Sequence, residues 1–175
     1  MKGRLRRIED ITEIGEFNCG DNALNAFLIE DARNFKSEMI ANTFVLQTDS
    51  NQTVAYFCLF NDIVSRDNVD KNLWRKVKKL FHHSKHFSSY PAVKIGRLAV
   101  SNAYKRNGVG RRLLDVIKQM TLLNQHLSAV RFLTVDAYSD AVLFYEKGGF
   151  RPLRNDIGSS ILPMYYDLKQ LELSE

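Results

Sequence analysis

Apolar residues never run long enough in this sequence to cross a bilayer, and the opening MKGRLRRIED has no apolar segment of the kind a secretory signal requires. Cysteine is scarce. Cys19 and Cys58 are too few for a disulfide framework, and neither stands in a metal-ligand spacing. Internal repeats and low-complexity linkers are missing too, so 1–175 is expected to form one domain, long enough to bury a real core. These absences argue against a membrane protein or a disulfide scaffold and point to the cytoplasm.

What is present is an ordinary globular composition with a localised charge. Between positions 66 and 86, seven basic side chains (Arg66, Lys71, Arg75, Lys76, Lys78, Lys79, Lys85) face two acidic ones, Asp67 and Asp70. That surplus equals the formal charge of the whole chain, +5, so the remainder is neutral on balance. Charge concentrated in one segment points to an anionic partner more directly than charge spread evenly.

The apolar pattern alternates between strand and helix periods. LRRIEDI reads as a first strand. CGDNALNAFLIEDARNFKSEMI places Leu24, Phe27, Leu28, Ala32 and Phe35 at helical spacing, with Asp21 as N-cap. TFVLQTDSNQTVAYFCLF reads as a hairpin turning at DSNQ. The stretch 68–82 is a basic amphipathic helix, with Val69, Leu73, Val77 and Leu80/Phe81 inward and Arg75, Lys76, Lys78 and Lys79 elsewhere. A strand is expected after Pro91, then a helix with Val109, Leu113, Val116, Ile117, Met120 and Leu123 in register. VRFLTVDAY, SDAVLFYEKGG and ILPMYYDL supply a strand, a short helix closed by Gly148 or Gly149, and a last strand. The expected class is α/β, a mixed sheet with helices packed over it.

The segment KRNGVGRR, 105–112, lies between the strand IGRLAV and the helix LLDVIKQM. The first turn of a helix leaves N–H groups without partners, and its dipole favours negative charge. Gly108 and Gly110 let the backbone approach an anion, and Lys105, Arg106, Arg111 and Arg112 add positive charge around it. The stretch is not a P-loop. Nor is it a dinucleotide fingerprint, because Leu113 stands at the third glycine position. The eight residues alone fit a phosphate site or a helix entry with glycines for packing.

Together with LTVDAYSDAVLFYEKGGFRP downstream, GRLAVSNAYKRNGVGRRLL resembles the GNAT superfamily of acetyl-CoA-dependent N-acetyltransferases, over about 93–152. The resemblance implies a mostly antiparallel sheet with a splayed centre, flanked by helices. It implies that the turn, [Q/R]xxGx[G/A] in the family, holds the pyrophosphate of acetyl-CoA through the backbone of Lys105, Arg106, Asn107, Gly108, Val109, Gly110 and Arg111. Lys105 stands where Gln or Arg is usual. Leu98, Ala99 and Val100 match the strand that pairs with pantetheine, and the N–H of Leu98 or its strand neighbour would polarise the thioester carbonyl. Tyr145 in FYEKGGF matches the tyrosine that protonates the departing thiolate, a role a phenol can fill.

No general base stands out. The strand before the turn, KIGRLAV, lacks the glutamate many family members carry, and Asp136 reads either as a water-orienting group or as a strand-end residue. A missing base suits an amine of low pKa, such as an α-amino group near ~8 rather than a lysine near ~10.4. The stretch FNCGDNALNAFL, with Phe17, Cys19, Gly20, Leu24, Asn25, Phe27 and Leu28, resembles a narrower branch that includes aminoacyl-tRNA-acetylating toxins of bacterial toxin–antitoxin pairs. That resemblance implies transfer of acetyl to the α-amine of an aminoacyl-tRNA and an antitoxin partner; a homodimer stays open. Neither cysteine lies near the turn or FYEKGGF, so direct transfer is expected. The charge of Arg75, Lys76, Lys78 and Lys79 fits either phosphate contacts or a solvated surface helix. A small-molecule or protein amine is the alternative acceptor, and an RNA-binding adaptor on a vestigial fold is the alternative class. His82, His83 and His86 have no Cys or carboxylate nearby to complete a tetrahedral set, so no metal is expected.

Overall fold

Among the described residues, apolar alternation builds seven strands: β1 (Gly3–Arg7), β2 (Ala41–Thr48), β3 (Thr53–Ser65), β4 (Ser89–Val100), β5 (Phe132–Tyr138), β6 (Arg151–Pro152) and β7 (Ile161–Asp167). The computed structural model describes residues 3–9, 13–81, 87–126, 128–154 and 158–172. The strands form one mostly antiparallel sheet in the order β1-β2-β3-β4-β5-β7-β6. The expected hairpin is present, with Ala41 opposite Phe60 and a register shift between Leu46 and Gln47. Residues Thr53 to Cys58 of β3 are buried without interruption, as a strand covered on both faces requires.

The chain packs as two compact units, Met1–Asn61 with Ile95–Leu114, and Asp62–Lys94 with Asp115–Glu175. In the first, the segment after Asp21 covers the sheet. The Asp21 carboxylate accepts from the N–H groups of Ala23 (2.8 Å) and Leu24 (3.1 Å), which starts α1 (Asn22–Ala26) as the sequence predicts. The expected single helix is interrupted by a π-helical turn, Phe27–Asp31, before α2 (Ala32–Ser37). The N–H of Ala32 reaches back to the carbonyl of Phe27, and the extra residue turns Phe27, Leu28 and Ala32 all inward. They pack with Ile8, Cys19, Val45, Tyr56, Cys58 and Ala99.

The core of the second unit is Val64, Val69, Trp74, Val77, Tyr90, Ala92, Phe132, Leu153 and Tyr165. Trp74 and Val77 come from α3 (Lys71–Lys79), shorter than the expected 68–82 and anchored by Trp74 against Tyr90 at 5.6 Å. β4 begins at Ser89, ahead of Pro91 rather than after it. Proline lacks a donor but keeps its acceptor, and its carbonyl takes the N–H of Arg131. Helix α4 (Val109–Leu123) buries Val109, Leu113 and Ile117 of the predicted face, whereas Val116 and Leu123 are 37% and 75% exposed. Leu114 and Lys118 are buried as well, and the Lys118 ammonium reaches the carbonyl of Gly148 at 2.7 Å and lies over the ring of Tyr166. Helix α5 (Val142–Lys147) ends on Gly149 at φ +84°, and the sequence pattern had marked neither β6 nor α6 (Lys169–Glu172).

Candidate active site

Strand β4 runs through Arg97, Leu98, Ala99 and Val100 and ends where the N–H of Ser101 donates to Val54. A single 3-10 turn, Asn102–Tyr104, follows, and the backbone then turns left-handed at Arg106 (φ +61°) and Gly108 (φ +73°) before α4 starts at Val109. The first intrahelical bond runs from the N–H of Arg112 to the carbonyl of Gly108. The N–H groups of Asn107, Gly108, Val109 and Gly110 therefore precede the helical ladder, and among the described residues none makes a hydrogen bond of ordinary length and angle. A Cβ built on Gly108 meets nothing within 4 Å, so the space beside this glycine is open. Four unbonded donors at a helix start, with an open glycine among them, fit a diphosphate.

The basic side chains around the turn divide their work. Lys105 donates to the carbonyl of Cys19 at 2.6 Å, and Arg112 folds back to the carbonyl of Asn107 at 3.1 Å. Arg106 and Arg111 are exposed. The FNCG segment meets the turn directly: the Asn18 carbonyl accepts the N–H of Asn102, and the Asn102 side chain lies 3.4 Å from where a Gly20 Cβ would stand. Asn25 in turn accepts the N–H of Cys19, and Asn18 accepts from Gly20 and from the Asn25 amide. Leu98 and Val100 are partly buried, while Ala99 faces the core.

In the second unit, Tyr145 on α5 is only 7% exposed, edge-on to Phe144 (5.0 Å) and Phe150 (5.5 Å). Among the described residues its hydroxyl has no hydrogen-bond partner. Burial disfavours the phenolate and pushes its pKa up to about 12. The group therefore stays protonated at neutral pH, as a proton donor must.

Asp136 is not a strand-end residue. It lies within β5, opposite Pro163, and its carboxylate takes the Lys94 ammonium at 2.9 Å. The same ammonium is 3.9 Å from Asp62, which accepts from Thr134 at 2.5 Å. No sequence signal pairs these residues, because they are non-local.

On α3, Arg75, Lys76 and Lys79 are exposed and Lys78 is partly buried. Lys76 lines a groove of about 420 Å³ with Asp70, Lys71, Asn72, Leu73 and Arg154. The sequence marks Lys71 only as part of the charge run and gives no signal for Arg154, which comes from beyond β6. His82, His83 and His86 lie outside the described residues. Among the described residues, no group of three His, Cys, Asp or Glu is placed to hold a metal, and no helix is long and apolar enough to cross a membrane.

Comparison with known proteins accords with this geometry. A bacterial toxin structure superposes with a TM-score of 0.83 at 14% identity, covering 99% of this chain and 94% of that one. A tyrosine-to-phenylalanine variant of KacT gives 0.80 at 23% identity over 100% of both chains. AtaT complexed with acetyl-methionyl-tRNAfMet gives 0.77 at 22% identity over 99% of both. Curated proteins yield no significant sequence match. The profile of the acetyltransferase (GNAT) domain matches residues 20–168, from the glycine of the FNCG segment to the end of β7, and the chain belongs to this family of acetyl-CoA-dependent acetyltransferases.

Proposed function

We propose that this protein is an N-acetyltransferase that moves the acetyl group of acetyl-CoA directly onto a primary amine, the α-amine of an aminoacyl-tRNA, with residues 1–175 acting as one acetyltransferase domain. The observation that carries the transferase reading is the run of unpartnered N–H groups from Asn107 to Gly110 beneath an open glycine. These donors hold the diphosphate of the cosubstrate, which supplies the activated acetyl group. Leu98 to Val100 align the pantetheine arm as an added strand. The N–H of Leu98 or its strand neighbour takes the developing oxyanion, and the Tyr145 hydroxyl gives its proton to the departing thiolate.

The tRNA acceptor is supported by the basic face of α3. Arg75, Lys76, Lys78 and Lys79, with Lys71 and Arg154 along the groove, present cations suited to a phosphate backbone. An ester-linked α-amine titrates near ~8 or below, so much of it is neutral without a dedicated base. AtaT in complex with acetyl-methionyl-tRNAfMet, and AtaT bound to the C-terminus of the antitoxin AtaR, support the same acceptor and an antitoxin partner here.

Acetyl transfer from acetyl-CoA to methionyl-tRNA, methionine ethyl ester and a peptide amine tests the reading. Transfer to methionyl-tRNA that loses most of its salt dependence when Arg75, Lys76, Lys78 and Lys79 become Gln supports it. Transfer to the peptide alone moves the acceptor to protein amines. RNA binding without any transfer, in a protein that acetyl-CoA does not stabilise, leaves an adaptor and overturns the enzyme.

A further inference from the structure

Among the described residues, two arginines stack on aromatic rings, and one of the two has a counter-ion. Arg131 lies 4.8 Å from the centroid of Phe81, and its guanidinium makes a two-pronged contact with Asp167 at 2.6 and 2.9 Å. Arg97 is stacked more closely, its Cζ 3.8 Å from the centroid of Phe27 and 5.8 Å from that of Phe35. Yet among the described residues it has neither a hydrogen bond nor an ion pair. The nearby Tyr56 hydroxyl already donates to the Leu24 carbonyl, and both Tyr56 and the Cys58 thiol are held neutral by burial.

The position is fixed by packing. Phe27 and Phe35 meet edge-on at 5.3 Å, Phe35 meets Phe60 at 6.1 Å, and Phe60 in turn covers Gly96, the residue before Arg97. A guanidinium keeps five donors in a rigid plane, and stacking covers one face while leaving the N–H edge for an oxyanion. Arg97 also directly precedes Leu98, the residue assigned to the thioester carbonyl. The stack therefore holds a cation on the acyl-transfer strand with its donors unspent.

We infer that Arg97 is an anion subsite for the acceptor, receiving the phosphodiester nearest the amine that is acetylated. This rests on the aminoacyl-tRNA reading above. In such an acceptor the amino-acid carboxyl is esterified and uncharged, so the closest negative charge belongs to the phosphate of the terminal nucleotide. A planar guanidinium is matched to phosphate oxygens and binds them two at a time.

Wild type, Arg97→Gln and Arg97→Lys are compared on methionyl-tRNA and on methionine ethyl ester, which offers the same kind of amine with no phosphate. Arg97→Gln is expected to raise KM for methionyl-tRNA about 10-fold or more, the loss of a charge-assisted pair, while kcat/KM for the ester stays within about 2-fold. Arg97→Lys, which keeps the charge without the fork, recovers part of the loss. The rise in Tm on adding acetyl-CoA, unchanged in both variants, shows that the fold and cosubstrate site persist. Equal losses on the two acceptors, with wild-type transfer to methionyl-tRNA intact, make Arg97 structural and overturn the subsite alone. Wild-type transfer to the ester but none to methionyl-tRNA overturns the tRNA reading, and the phosphodiester with it.

Discussion

The ammonium of Lys105 donates to the main-chain carbonyl of Cys19 at 2.6 Å, across 86 positions of sequence. This bond, with the one from Asn102 to Asn18, ties the glycine turn to the FNCG segment. Removing it frees the turn without touching its N–H groups. Lys105→Met is expected to weaken acetyl-CoA binding about 5-fold, the scale of one charge-assisted bond at a partly exposed position. Calorimetric titration measures it, and an unchanged Kd would show that the turn holds its shape unaided.

Gly108 combines a left-handed backbone with open space above it. Gly108→Ala strains the backbone by about 1–2 kcal/mol but meets no neighbour, so it should fold with a Tm a few degrees lower. Its Cβ intrudes where the anion is expected. Gly110→Asp adds a negative charge at the same helix start. Both variants are expected to lose the acetyl-CoA-induced rise in Tm, by thermal denaturation with and without the cosubstrate. A full rise in Gly110→Asp removes the diphosphate from this turn.

Tyr145→Phe is expected to lower kcat about 10²- to 10³-fold with acetyl-CoA affinity unchanged. The pH dependence follows from burial, which raises the phenol to about 12. In the wild type kcat/KM should rise as the acceptor amine deprotonates near ~8, then stay flat to about pH 11. The phenol's contribution to stability has the corresponding sign. A raised pKa favours the protonated fold, so the contribution is complete below ~10, the unfolded value, and disappears as pH climbs through about 12. Tyr145→Phe should therefore gain on wild type in alkaline melts over that window. A kcat equal to wild type would end the general-acid assignment.

Gly96 is required by a ring rather than by its torsions. A Cβ there would stand 2.0 Å from the Phe60 ring. Gly96→Ala must displace Phe60 from Phe35 and should cost about 1–3 kcal/mol in denaturant unfolding. Phe60→Leu in the same chain is expected to return part of that loss, and strict additivity of the two changes would break the link.

What could be read ahead of the structure was local. The Asp21 cap, the hairpin turn at 49–52 and the glycine that closes α5 each depend on neighbours within a few positions. The glycine turn was legible for the same reason, since a strand, a turn and a helix start lie consecutively in the chain. Contacts made by folding were not. Lys94 meets Asp136 across 42 positions, and Arg97 finds Phe27 only when β4 and the N-terminal helix pack together. The buried face of α4 is wider than apolar spacing marks, because Lys118 buries its long aliphatic stem beside Ile117 and its tip reaches a helix-end carbonyl. The π turn escaped detection because one extra residue leaves the apolar spacing nearly helical.

That extra residue sets a strict limit on how the N-terminal segment can change length. Losing one position between Phe27 and Asp31 would restore a regular helix and swing everything after it by about 100°, carrying Phe35 off its partners. Descendants of this gene can exchange side chains along the segment, but a single-codon deletion there would dismantle the aromatic seat beneath Arg97 in one step.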